Sequence, residues 1–412
     1  MILSMLFPGC YLLATTGTPV STPNSGNSVD SYLLQAEKRT ARLVNQHRIR
    51  SDGSLSDWIE SAEFRTGADN ENERSYAVRF IPKTRGQRRV ERSASNLMAD
   101  KNRFEVLNAL NNDLNIRYET LIDLFDLQVE TEYITKRISL SEQNMTLYRS
   151  QINTAGFDAE KYQAIELEHL SLKQRLELSR QLQLEMKSSS GLGLDINSSS
   201  HIKNWSEWIP SITELVDEVA KNVNSAAQWV SLAQRSKALD LHLARENLNM
   251  SRVKDKALFS FIELKYTDRR MGQSELSMGV SIPMVKNNFN LRKRERQLND
   301  AKATLANDQI VEEALYRRRF FALSQDRRIC LSIEEAIADV DNRFSRLIVQ
   351  EGSQLAINLK ETRTRHEWLL KTTHLSALRS YLSLQHASGT LAKGPLRNWL
   401  ESGFPVLKEK PS

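Results

Sequence analysis

The stretch Leu276-Ser277-Met278-Gly279-Val280-Ser281-Ile282-Pro283 has a counterpart about 200 residues upstream, Ser75-Tyr76-Ala77-Val78-Arg79-Phe80-Ile81-Pro82. Aligned on the shared Ile-Pro, both place apolar side chains on alternate positions: Tyr76, Val78 and Phe80 in one, Leu276, Met278, Val280 and Ile282 in the other. Polar residues such as Arg79, Ser277 and Ser281 fall between them. A period of two gives a β-strand with one apolar and one wet face. Each stretch follows a second run of the same kind, Asp57–Arg65 with Trp58, Ala62 and Phe64, and Ala257–Tyr266 with Leu258, Ile262, Leu264 and Tyr266. The chain therefore carries two strand pairs. They read either as hairpins lying on a soluble core or as transmembrane barrel wall, in which short strands face lipid on one side and water on the other. Four strands cannot close a barrel, so the second reading demands oligomerisation.

Outward from the strands, the other landmarks also come twice and in the same order. Basic clusters follow each Ile-Pro, with Arg88, Arg89 and Arg92 matched by Arg292, Lys293, Arg294 and Arg296. Gly156 and Gly352 interrupt long helical patterns, and Ser190-Gly191-Leu192 and Ser388-Gly389-Thr390 end the helices that return. The unit is helix, two strands, long helix, turn, helix, written twice. The long helices are expected over Gln87–Asn153 and Asn290–Gln350, each roughly 95 to 100 Å at 1.5 Å per residue. Shorter helices are expected over Asp158–Lys187 and Ser353–Ala387, with leading helices over Asp30–Arg50 and Ile212–Arg252. A returning and a leading helix stacked end to end would match one long helix, building a wall of coiled-coil pairs. The expected fold class is mainly α with a small β part. The expected division is a signal-like segment and linker (1–29), a first repeat (30–193), an equatorial linker (194–211), a second repeat (212–391) and a C-terminal tail (392–412).

Composition agrees with long helices and excludes other classes. Only 15 Gly and 9 Pro occur in 412 residues, too few for collagen, low-complexity or many-stranded all-β chains. With 57 Lys and Arg against 51 Asp and Glu, the net charge of +6 is a mild excess rather than a polybasic signature. Beyond the first 14 residues no run approaches the roughly 18 to 20 apolar residues of a spanning helix. Met1–Ala14, apolar and uncharged, followed by a Pro/Gly/Ser/Thr stretch, reads as an export signal and linker. Gly9-Cys10 makes Cys10 a candidate lipidation site. Cys330, within a helical pattern, reads as a buried thiol. No phosphate-binding loop, His-Glu-x-x-His or Gly-x-Ser-x-Gly motif occurs, and the seven histidines are scattered singly, His366 and His374 being eight apart. No catalytic, cofactor or metal-binding residue is expected. The basic clusters at Arg88, Arg89, Arg292 and Lys293 sit where strands meet helices, which favours a collar for lipid headgroups over nucleic acid.

In Ala226–Ala301, above all Ala244-Arg-Glu-Asn-Leu-Asn249, Ile262-Glu-Leu-Lys-Tyr-Thr-Asp268 and Leu276–Met284, and in Leu375-Ser-Ala-Leu-Arg-Ser-Tyr-Leu382, the sequence resembles the TolC-like outer-membrane efflux proteins. The resemblance covers most of residues 30–395 and lies in architecture and repeat order more than in any motif. It implies a homotrimer in the bacterial outer membrane, three chains giving four strands each to a 12-stranded barrel continued by an α-helical periplasmic tunnel. It further implies a passive exit duct for efflux or type I secretion, working with a periplasmic adaptor and an inner-membrane transporter. Pro82 and Pro283 would mark the strand-to-helix transition, and Gly156 and Gly352 the helical tips where the adaptor docks. Asp339, Asp341 and Glu351 are the acids near the tunnel end that could form a gate. The chain departs from the family pattern in its short first helix and in Asn358, which stands where an acid is expected. Two rival readings are a soluble coiled-coil scaffold and a basic helical nucleic-acid binder.

Overall fold

The computed structural model describes residues 29–46, 58–70, 73–152, 157–189, 209–225, 231–256, 261–269, 273–282, 289–346 and 353–407. In chain order these form α1 (Val29–Gln46), β1 (Ile59–Asn70), β2 (Glu73–Pro82), α2 (Arg85–Ser150), α3 (Ala159–Ser189), α4 (Ile212–Ser225), α5 (Leu232–Asp255), β3 (Phe261–Arg269), β4 (Gln273–Ser281), α6 (Phe289–Arg346) and α7 (Gln354–Ser388). The protein is mostly helical with one small sheet. The 66 residues of α2 extend about 99 Å and the 58 of α6 about 87 Å.

Local chemistry sets the helix ends. Thr84 caps α2: its side chain accepts from the Gln87 N–H at 3.2 Å while the Gln87 side chain accepts from the Thr84 N–H, a reciprocal capping box. Ser231 and Gln234 do the same for α5, at 3.1 and 3.2 Å. That cap corrects the expected single helix Ile212–Arg252, which is two helices, α4 and α5, because a start signal lies inside the apolar pattern. Ser353 caps α7. At the far end of α7, Gly389 takes the left-handed conformation (φ 74°) that favours glycine.

Two glycines fix the placement of α5. A Cβ on Gly389 would meet Leu232 at 2.6 Å, and one on Gly86 would meet Val253 at 2.9 Å. The start of α5 thus abuts the end of α7, and its last turn abuts the first turn of α2. Helix α2 packs along α3, α7 and α5, and α6 packs along α5 and α7. A shorter helix followed by another therefore runs alongside one long helix.

The main core lies at mid-height, where α1, the middle of α2, α4, the second half of α7 and residues 391–407 converge. Leu33, Tyr118, Ile122, Phe125, Leu215, Leu375, Leu378, Tyr381 and Leu400 are almost completely buried. Residues 392–407, beyond the expected end of the second repeat, are folded into this core. Tyr381 stacks on Phe404 with ring centres 5.6 Å apart, and the Tyr118 hydroxyl donates to the Arg397 carbonyl at 2.7 Å. Burial raises the pKa of both tyrosines. Arg117 ties α1 to α2, donating to the Tyr32 carbonyl at 2.6 Å with its guanidinium over the Tyr32 ring. Cys330 is buried, as its helical context predicts, and burial pushes its thiol up to about 11.

Candidate functional site

The four strands form one antiparallel sheet in the order β1-β2-β3-β4. Because every pairing is antiparallel and the register is unbroken over Ala62–Ala68 of β1 and the residues facing it, alternate residues line up in rows across the sheet. On one face the rows are Ala62, Phe80, Ile262, Val280; then Phe64, Val78, Leu264, Met278; then Thr66, Tyr76, Tyr266, Leu276. Thr66 alone among these twelve is polar. The next row, Ala68, Arg74, Asp268, Ser274, is mostly polar and bounds the apolar band at the loop end. The opposite face carries Glu63, Arg79, Glu263, Gly279; Arg65, Ala77, Lys265, Ser277; and Gly67, Ser75, Thr267, Glu275. Ion pairs organise it: Arg79 meets Glu263 at 2.7 Å and lies over the Phe261 ring, and Arg65 meets Glu63 at 2.8 Å.

Among the described residues most of the apolar face is uncovered. Leu276 is 74% exposed, Phe64 68% and Met278 66%. A contiguous apolar band of this kind marks an interaction surface or a membrane. Among the described residues β1 and β4 each pair on one side only, which leaves two open edges carrying unpaired backbone donors and acceptors.

Below the band, strands turn into helices. Pro82 is the last residue of β2, two before the Thr84 cap; Lys83 N–H donates to the Trp58 carbonyl at 2.8 Å. The Arg88 guanidinium stacks 3.3 Å over the Trp58 ring, where β1 and β2 meet the start of α2. Arg89, Arg292 and Lys293 are exposed. Pro283 lies outside the described residues.

The helices present a second uncovered surface. On α3, Leu167, Leu170, Leu178 and Leu182 are exposed, whereas Leu172 and Ser179 are buried, the Ser179 hydroxyl 2.9 Å from that of Thr131 on α2. Ile310, Val311, Leu315 and Phe321 are exposed on α6, while Leu323 and Cys330 face inward. Arg137 of α2 is paired with both Glu168 of α3 and Glu361 of α7, tying three helices at one point. Nearer the far end, Asp339 pairs with Arg343 at 2.7 Å on its own helix, and Asp341 with Arg363 of α7 at 3.0 Å; both acids are largely exposed. Asp158 opens α3, its carboxylate accepting from the Lys161 N–H, which lowers its pKa. Gly156, Glu351, Gly352 and Cys10 lie outside the described residues. The sequence reading missed the Arg79–Glu263 pair and the Arg137 clamp, since both depend on register between distant segments. The α3 leucines were visible at helical spacing and were not singled out.

Among the described residues no helix is long and apolar enough to cross a membrane, and no cluster of His, Cys, Asp and Glu could hold a metal ion. No protein-family model matches the sequence, and no curated protein does. Solved structures do. The outer membrane protein VceC of Vibrio cholerae superposes with a TM-score of 0.53 at 11% identity, over 88% of this chain and 95% of that one. The outer-membrane channel OprN gives 0.53 at 13% identity, over 88% and 89%. The Campylobacter jejuni CmeC outer membrane channel gives 0.50 at 10%, over 92% and 84%. The chain has the fold of these outer-membrane proteins. At such identities the fold is carried by the order of long helices and strand pairs rather than by shared residues.

Proposed function

We propose that the protein is the outer-membrane channel of a tripartite efflux or type I secretion system, a passive duct and not an enzyme. The observation that carries this reading is the sheet: apolar on one face, charged on the other, uncovered, and open at both edges. Three copies solve all of these problems together. The β4 edge of one subunit pairs with the β1 edge of the next, closing twelve strands; the apolar face meets lipid and the charged face a water-filled lumen. The exposed stripes of α3 and α6 then meet between neighbouring subunits and extend the barrel as a helical tunnel in the periplasm. The outer-membrane channels with which the chain shares its fold support this assembly.

In this reading Pro82 and Pro283 lie at the barrel rim. Arg88, Arg89, Arg292 and Lys293 form a collar for anionic headgroups, with Arg88 steadied by Trp58. The tips near Gly156 and Gly352 receive a periplasmic adaptor coupled to an inner-membrane transporter, and Asp339, Asp341 and Glu351 are the gate acids. Opening is a two-state shift of helix pairs favoured by adaptor contacts; the Arg137 clamp holds the resting arrangement. Energy comes from the transporter. Cys10 is the proposed anchor, which intact-mass measurement of the mature protein tests.

The deciding experiment is the behaviour of the purified protein. A heat-modifiable trimer that needs detergent, about 100 Å or more long by the helix rise, is the expected result. Extraction as a monomer in aqueous buffer would support the coiled-coil scaffold instead, and DNA binding at low salt the nucleic-acid reading.

A further inference from the structure

Residues 391–407 form a loop closed on itself. The Asn398 N–H donates to the Pro405 carbonyl at 2.8 Å, the Leu407 N–H to the Leu396 carbonyl at 2.9 Å, and the Arg397 guanidinium to the Phe404 carbonyl at 3.0 Å. A loop bonded to itself in this way can move as one body. It follows in the chain every element it touches, and it touches both repeats. From the first, Tyr118 of α2 donates to the Arg397 carbonyl, and Asp30 of α1 accepts from the Asn398 amide at 3.1 Å. From the second, Glu214 of α4 accepts from the Ser402 hydroxyl and the Gly403 N–H, both at 2.8 Å, and Tyr381 of α7 stacks on Phe404. Leu400 is fully buried in the same core. Closure carries a backbone cost: Gly403 and Phe404 both lie in the left-handed region, at φ 76° and 47°, and a phenylalanine there is strained. Lifting the loop relieves that strain, so the closed state depends on Glu214 and on the ring packing.

We propose that residues 391–407 are an assembly latch, which closes over the mid-height core and fixes the two repeats of one chain to each other before subunits join. The proposal rests on the trimeric reading above. The surfaces that would meet neighbouring subunits lie on α3 and α6, which pack on α2 and α7 respectively. Closing the latch sets α2 and α7 relative to each other, and with them the spacing of the two surfaces that neighbours must meet at once. A chain with its latch open keeps its helices but cannot satisfy both neighbours, and is held back from the trimer.

The test uses the full chain refolded in detergent, with three readouts: tryptic cleavage after Arg397, helix content by circular dichroism, and trimer fraction. Glu214→Ala removes the carboxylate and leaves the core packing. It should be cut severalfold faster than wild type, keep its helix content and lose trimer in proportion. Leu400→Asp buries a charge and should be cut fastest and stay monomeric; Glu214→Ala decides alone if Leu400→Asp unfolds. Wild-type trimer yield from a Glu214→Ala chain that is cut faster overturns the latch. So does loss of helix along with trimer in that variant, which would make the loop an ordinary part of the core, and so does cleavage at the wild-type rate. Wild-type protein that stays monomeric defeats the trimeric reading instead, while cleavage after Arg397 still reports on closure.

Discussion

Phe64 and Phe125 are the same side chain in opposite circumstances: Phe64 on the sheet is 68% exposed, whereas Phe125 in the mid-height core is 1% exposed. The helical core hides its apolar residues with the chain's own segments, α1, α2, α4, α7 and the C-terminal stretch. Among the described residues the sheet leaves most of its apolar face uncovered. Hydrophobic burial is therefore satisfied locally in one region and, in the proposed barrel, left to lipid in the other, and the two should respond differently to substitution.

The largest effect belongs to the core. Tyr381→Ala should lower unfolding stability by about 3–5 kcal/mol in detergent, whereas Tyr381→Phe, which keeps the ring stacked on Phe404, should cost far less. On the sheet, Leu264→Arg would, in the proposed barrel, put a charge against lipid and should cost about 2–4 kcal/mol of membrane stability. Thr267→Arg, on the charged face, should cost almost nothing; equal losses in urea titrations of the two would erase the distinction between faces. In the proposed trimer, Leu178→Ala should weaken each contact between subunits by roughly 1.5–3 kcal/mol, read as a shift from trimer to monomer in light scattering. Gly389→Ala strains a left-handed position and presses on Leu232, for a loss of about 1–2 kcal/mol in thermal unfolding.

The smallest effect is a pH dependence confined to the core. His374 lies with Nε2 2.8 Å from the Pro210 carbonyl, and burial holds its pKa below 6.5. The unfolded chain therefore takes up the proton first as pH falls. Stability from this group is full above about pH 6.5 and declines below it, toward the lower folded pKa. Thermal unfolding at pH 7.5 and 5.5 should show a drop in wild type that His374→Gln reduces.

Periodicity and helix-end chemistry made much of this molecule legible. The alternation in Tyr76, Val78 and Phe80 assigns a face without any knowledge of neighbours, and uninterrupted 3.6-residue patterns gave α2 and α6 to within a few residues at each end. The break before Ser231 was hidden because apolar spacing continued past a capping box. Residues 392–407 contain Gly394, Pro395, Gly403 and Pro405 and so read as a tail. Their Leu396, Trp399 and Phe404 enter the core through contacts with Tyr118 and Tyr381, which no local pattern reveals. The partners of Arg79 and Arg137 were illegible for the same reason: register and packing are decided by segments far away in sequence.

The two open edges of the sheet also bear on inheritance. In the proposed trimer no subunit encloses a pore, and each wall is shared. A cell making equal amounts of normal chain and of a variant that folds but spoils the duct would assemble only about one fully normal trimer in eight. Variants on the proposed lipid face should then act dominantly, while a core variant such as Tyr381→Ala, lost before assembly, should be recessive.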